Sequence, residues 1–198
     1  MEDFAGQKQG GRGVEVRFVG RALDEESKDS VWRLLCACDN EFYPCLSARD
    51  RSDQKNLDLG AVPAGAFTTG PRKYFAQILL QEFILAYFGG EFAGFMTFRR
   101  EEPAKALPEL GSALYVTTVC VGCALRGRGV MNALYDSLEG EVARAHGMQV
   151  VYTRTWSLNA AQLHTLEKRG YARVAVLEDD RGKGVDTVYF AKRLGNLL

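Results

Sequence analysis

Between residues 114 and 145 the chain passes from a strand to a helix through a short glycine-punctuated turn, and no other stretch restricts the fold as much. Residues 114–121, LYVTTVCV, are β-branched and aromatic and read as a central strand. Val130, Leu134, Leu138 and Val142 then recur at four-residue spacing, with Met131 and Tyr135 beside them, which predicts a helix to about Ala145 with one apolar face. The turn between them reads VGCALRGRGV over residues 121–130. Gly127 and Gly129 permit a sharp bend and leave the backbone N–H groups unobstructed. The first N–H groups of a helix have no internal partner. Together with the helix dipole they form an anion site suited to a pyrophosphate. Arg126 and Arg128 can add charge-assisted contacts to phosphate. An ordinary turn with two solvated arginines accounts for the same residues equally well.

The remaining pattern surrounds that unit with short strands and helices. Residues 14–19 alternate as a first strand, and residues 24–38 form a helical stretch that opens on acidic residues suited to a helix N-terminus. Residues 39–70 read as a long irregular connection with room for a short helix of its own. Pro71 suits the first turn of a helix to Gln81. Two strands, 83–88 and 92–98, flank a Gly89-Gly90 hairpin turn. A strand over 149–155, a helix over 159–169 stopped by Gly170, and strands over 171–177 and 186–192 follow. This order predicts an α/β fold with a mixed, mostly antiparallel sheet and flanking helices.

At 198 residues the chain suits one domain, assigned here to residues 13–198 behind a polar, glycine-rich tail at 1–12. Twenty-five basic residues balance twenty-five acidic ones, which gives no electrostatic reason to expect nucleic acid or an anionic membrane as partner. No apolar run reaches the roughly 18 residues of a membrane span, and no signal-peptide core is present, so the expected location is the cytoplasm. The five cysteines lack the paired spacing of a zinc site, so no metal is expected and buried free thiols are the better reading. A homodimer is a possible assembly.

Two familiar phosphate loops fail on composition. The turn lacks the Gly-Lys-Ser/Thr of a P-loop, and Val130, Met131 and Asn132 follow Gly129 where a dinucleotide fingerprint needs a third glycine. Arg126-Gly-Arg-Gly129-Val, between its strand and its helix, resembles the Arg/Gln-x-x-Gly-x-Gly/Ala coenzyme loop of the GNAT superfamily of N-acetyltransferases. Asn159 followed by Leu166-Glu-Lys-Arg-Gly170-Tyr171 resembles that family's next motif, and the hairpin ending in Glu91-Phe-Ala-Gly94-Phe95 its second and third strands. The resemblance covers roughly residues 14–193.

The resemblance implies a sheet whose central strands splay apart, and acetyl-CoA as cosubstrate. The diphosphate would lie on amides of Gly127, Arg128, Gly129, Val130 and Met131 beside Arg126, and the pantetheine arm along Val119, Cys120 and Val121, with Asn159 nearby. Asn159 is equally a good N-cap for its helix. The acceptor would be a primary amine of a small molecule or peptide. It attacks only when neutral, which calls for a base because the ordinary amine pKa is about 10.4. Phe42, Trp156 and Asp186 are candidate acceptor-side residues. The family's usual tyrosine acid falls on Leu166, which cannot donate, and residues 114–121 hold no carboxylate. Met131 stands in place of a small residue. Glu41 and Tyr189 are therefore the candidate catalytic residues, and a non-catalytic or weakly catalytic acyl-CoA sensor is the alternative function.

Overall fold

The computed structural model describes residues 8–10, 13–48 and 70–195. Strands β1 (Lys8–Gly10) and β2 (Val14–Gly20) precede helix α1 (Glu25–Cys38), and α2 (Arg72–Ile78) leads into β3 (Glu82–Phe88), β4 (Glu91–Glu101) and β5 (Ala113–Val121). Helix α3 (Val130–Ser137) runs through a π-helical stretch, Leu138–Val142, into α4 (Ala143–Ala145). Then come β6 (Val150–Trp156), α5 (Ala160–Lys168), β7 (Ala172–Leu177) and β8 (Thr187–Arg193). The eight strands form one sheet in the order β1-β2-β3-β4-β5-β6-β8-β7. Only β5 and β6 run parallel, so the sheet is mixed and mostly antiparallel.

Strand alternation divides the core between the two faces. Phe83, Leu85, Phe95 and Cys120 pack with Val31, Leu35, Tyr74 and Ile78 of α1 and α2. Ile84, Ala86, Met96 and Val116 turn the other way, onto Val130, Leu134, Leu138 and Val142 and onto Leu166 of α5. The four-residue apolar spacing along α3 thus marks its buried face, each of those side chains being at most 1% exposed. A third cluster gathers Tyr115, Tyr152 and Tyr189 under Ala104 and Leu107 of the β4–β5 connection.

Local signals set most boundaries. Asp24 caps α1 by accepting the Ser27 N–H at 2.7 Å. Gly89 and Gly90 take φ of 60° and 84°, as a two-residue hairpin turn with both central residues left-handed requires.

Several expectations are corrected. Residues 8–10 of the supposed tail form an edge strand, because their backbone pairs antiparallel with β2. Helix α2 ends at Ile78 rather than Gln81, since Leu80 and Gln81 donate back three residues in a closing turn. Pro71 is its N-cap and not its first helical residue. Of the five free cysteines only Cys38 and Cys120 are buried; Cys36 and Cys45 are partly exposed and Cys123 is exposed. The expected connection over residues 39–70 begins with a 3-10 turn at Asp39–Glu41, and its residues 49–69 lie outside the described residues. Among the described residues no helix is long and apolar enough to cross a membrane, and no group of His, Cys, Asp or Glu is placed to hold a metal.

Candidate functional site

Strands β5 and β6 pair over only Leu114–Val116 and Val151–Thr153. Beyond that point β6 follows β8, with which it pairs from Val150 to Trp156, while β5 stays on β4. Thr117 is passed over in the β4–β5 register, where Thr97 faces Thr118 and Phe98 faces Val116. Such a bulge increases local twist and bends its strand. The strands part at that residue, and a cavity of about 510 Å³ opens between them.

One flank of the cavity is the glycine turn. Gly127 and Gly129 have φ of 73° and 86°, the left-handed region that glycine enters without strain. A Cβ at either position would meet nothing within 4 Å, so the bend leaves its backbone open. The amides of Gly127, Arg128 and Gly129 have no hydrogen-bond partner among the described residues, and those of Val130 and Met131 begin the first turn of α3. Gly94 fixes how closely this turn meets the sheet. A Cβ there would lie 2.7 Å from the Cys120 carbonyl oxygen and 3.2 Å from Val130 Cγ1. Asn159 caps α5, accepting the Gln162 N–H at 3.2 Å and donating to Thr155 Oγ1 at 3.1 Å.

The facing flank is assembled from distant segments. Glu41 accepts from Arg126 at 2.5 Å, and Arg126 Nε also donates to the Val121 carbonyl at 3.3 Å. Burial opposes the Arg126 charge, and Glu41 more than offsets this, leaving the guanidinium pKa raised. Arg126 thus ties the end of β5 to Glu41 in the cavity wall. The Phe42 and Trp156 rings lie 6.0 Å apart. Arg181 sits 5.6 Å over Trp156 and donates to the Tyr43 carbonyl at 2.6 Å and to Thr187 Oγ1 at 2.9 Å. The β7–β8 loop thereby clamps the segment after α1 over the cavity.

The structure brings most of the candidate residues to one cavity. Glu41, Phe42, Val119, Cys120, Val121, Arg126, Gly127, Gly129, Val130, Met131, Trp156 and Asn159 all line it. Arg128, Asp186 and Tyr189 do not. The Arg128 guanidinium rests 5.3 Å over the Phe88 ring, and the Asp186 carboxylate accepts the Asp179 N–H at 3.1 Å within its own loop. Tyr189 is buried and accepts from Arg154 at 3.3 Å. Leu166 is wholly buried among the α3 contacts, and α5 offers Ala161, Gln162 and Thr165 to the cavity instead.

Sequence reasoning missed Cys38, Thr117, Thr118 and Arg154, all in the cavity wall. Thr118 Oγ1 and Tyr74 Oη are 2.7 Å apart, and Thr117 Oγ1 lies 2.7 Å from Thr97 Oγ1, so side-chain hydrogen bonds brace the bulge. Burial pushes the Cys120 thiol pKa well up, and the neighbouring Cys38 thiol adds to the rise. Arg154 carried a readable signal, being the one charge in the otherwise uncharged run VVYTRTW.

Solved structures share this architecture. A GNAT-family protein from Desulfovibrio desulfuricans superposes with a TM-score of 0.64 at 14% identity, over 92% of this chain and 99% of its own. The yncA protein of Salmonella typhimurium, solved with acetyl-CoA, gives 0.60 at 16%, over 93% and 96%. Naa50 of Arabidopsis thaliana, bound to the bisubstrate analogue CoA-Ac-MVNAL, gives 0.57 at 14%, over 91% and 99%. At these identities the likeness shows the fold. Curated proteins yield no match. The model of the Acetyltransferase (GNAT) family matches residues 47–171, more than half of the chain. With that match and the sheet that parts at Thr117, the chain belongs to the GNAT acetyltransferase family.

Proposed function

We propose that this protein transfers an acetyl group from acetyl-CoA to a primary amine. The observation that carries this reading is the opening of β5 from β6 directly beside a turn with unpartnered amides. From Thr117 onward β5 has no β6 partner, so its free edge can hold an extended arm as an added strand. The open backbone at Gly127 and Gly129 fits a diphosphate against the start of α3. Acetyl-CoA bound in other members of the fold supports the same coenzyme here.

In this reading the amides of residues 127–131 hold the diphosphate, and Val119, Cys120 and Val121 present the backbone that aligns the arm. Asn159 fixes the start of α5 at the edge of the gap. The thioester supplies the activated acyl carbon: the amine nitrogen bonds to it, its C–S bond breaks, and CoA leaves as a thiolate that takes up a proton from solvent. Glu41 stands at the cavity as the base that takes the amine proton, positioned by Arg126. Phe42 and Trp156 form the aromatic wall for the acceptor. Tyr189 is set behind Arg154, so its hydroxyl orients that guanidinium. Five free thiols fit a reducing compartment, and the cytoplasm is the proposed location.

The buried Leu166 favours a second reading, an acyl-CoA sensor, because α5 brings no phenol to the cleft. Incubation with acetyl-CoA and an amine panel, following free thiol, separates the two. Thiol release that requires both substrates is the expected result. Acetyl-CoA binding without turnover across the panel favours the sensor, and absence of binding removes both readings.

A further inference from the structure

Arg154 is an unusual occupant of β6. Val150, Val151, Tyr152, Thr153 and Thr155 around it are all at most 4% exposed. Arg154 lines the cavity beyond the point where β6 leaves β5. A guanidinium carries five N–H donors. Here the hydrogen bond to Tyr189 Oη at 3.3 Å is the one it makes among the described residues, and no carboxylate of those residues stands within ion-pair distance. Burial works against the Arg154 charge, but Tyr115, Tyr189 and Asp180 more than offset it and the side chain stays cationic. Asp180 itself accepts from Thr187 Oγ1 at 2.6 Å.

Side chains two residues apart on a strand share a face. Trp156 therefore lies on the same side of β6 as Arg154, with Phe42 against it. Glu41 and Arg126, the other charged residues lining the cavity, are already matched to each other. The acceptor chamber thus offers a carboxylate in one place, an aromatic slot in another and a cation with spare planar donors between the strands. A planar guanidinium of this kind recognises a carboxylate through two parallel N–H···O bonds.

We infer that the acceptor is a small amine that also bears a carboxylate, a free amino acid being the simplest such molecule, with its carboxylate on Arg154. The inference rests on the acetyltransferase reading and narrows its substrate class. The amine faces Glu41, and the remainder of the acceptor lies along Phe42 and Trp156. A protein or peptide N-terminus, whose first residue has no free carboxylate, leaves Arg154 unmatched.

The test begins by titrating CoA into the full chain, which checks the coenzyme reading alone. With CoA saturating, N-acetyl derivatives of glycine, leucine, methionine, phenylalanine and glutamate are titrated beside their α-amides. At least one acid is expected to bind about 10- to 100-fold more tightly than its amide. Arg154→Gln should abolish that difference with CoA affinity unchanged, and Arg154→Lys should restore part of it. A panel in which no acid outbinds its amide overturns the inference and leaves the acetyltransferase reading standing. So does an Arg154→Gln protein that keeps the acid preference. A wild-type protein that binds no CoA overturns both.

Discussion

The two flanks of the β5–β6 cleft are made from different materials. On the turn flank the groups proposed to bind are main-chain amides within residues 127–131, at two left-handed glycines and a helix start. On the aromatic flank they are side chains brought from far apart. Arg126 and Glu41 are 85 residues apart in sequence, and Arg181 meets the Tyr43 carbonyl across 138 residues. A site made of backbone is encoded locally, because the same few residues set the bend and supply the donors. One made of side chains is encoded by the topology that gathers them.

Substitutions on each flank should separate in what they damage. Glu41→Gln is expected to lower the acetyl-transfer rate by about 10²- to 10⁴-fold. Its ion pair with Arg126 is about half exposed, so unfolding by denaturant should change by less than about 1 kcal/mol. A rate near that of the wild type would remove Glu41 from the chemistry.

Across the cleft, Gly129→Glu places a side chain at φ of 86° and an anion beside the open amides. Acetyl-CoA affinity by calorimetry should fall about 10- to 100-fold. Unchanged affinity would show that this turn is not where the phosphates bind.

Gly94→Val probes the contact that seats the turn on the sheet. Its new Cβ meets the Cys120 carbonyl at 2.7 Å, and chemical denaturation should show a loss of about 1–3 kcal/mol. Full stability would mean that β4 and β5 yield more easily than their packing indicates.

The smallest effect is expected behind the aromatic wall. Tyr189→Phe removes the acceptor of one Arg154 hydrogen bond and should cost at most about 1 kcal/mol in stability, with turnover retained. A drop of a hundredfold in rate would restore Tyr189 as a catalytic acid.

Legibility in the sequence followed the same division. The Gly89-Gly90 turn, the acidic start of α1, the Asn159 cap and the α3 apolar stripe are each written within a few residues, and the structure shows each of them. The open character of residues 127–129 belongs with these. The bulge at Thr117 does not, because its position depends on the register against β4. Arg154 was visible as a charge among uncharged neighbours, but its access to the cavity depends on where β6 abandons β5 for β8. The Glu41 partner of Arg126 was hidden for a related reason. A flexible cation goes to the carboxylate that the fold sets beside it, and Glu41 sits in a segment that the turn's own sequence does not mention. Leu166 was recognised as unable to donate, but its complete burial in the α3 core emerged only from the packing.

A crystal structure of the protein with CoA tests the central assignment most directly. The diphosphate should lie within hydrogen-bond distance of the amides of residues 127–131, with the pantetheine arm along β5 past Thr117. A coenzyme lodged away from the β5–β6 opening, or no coenzyme retained at saturating concentration, would contradict it.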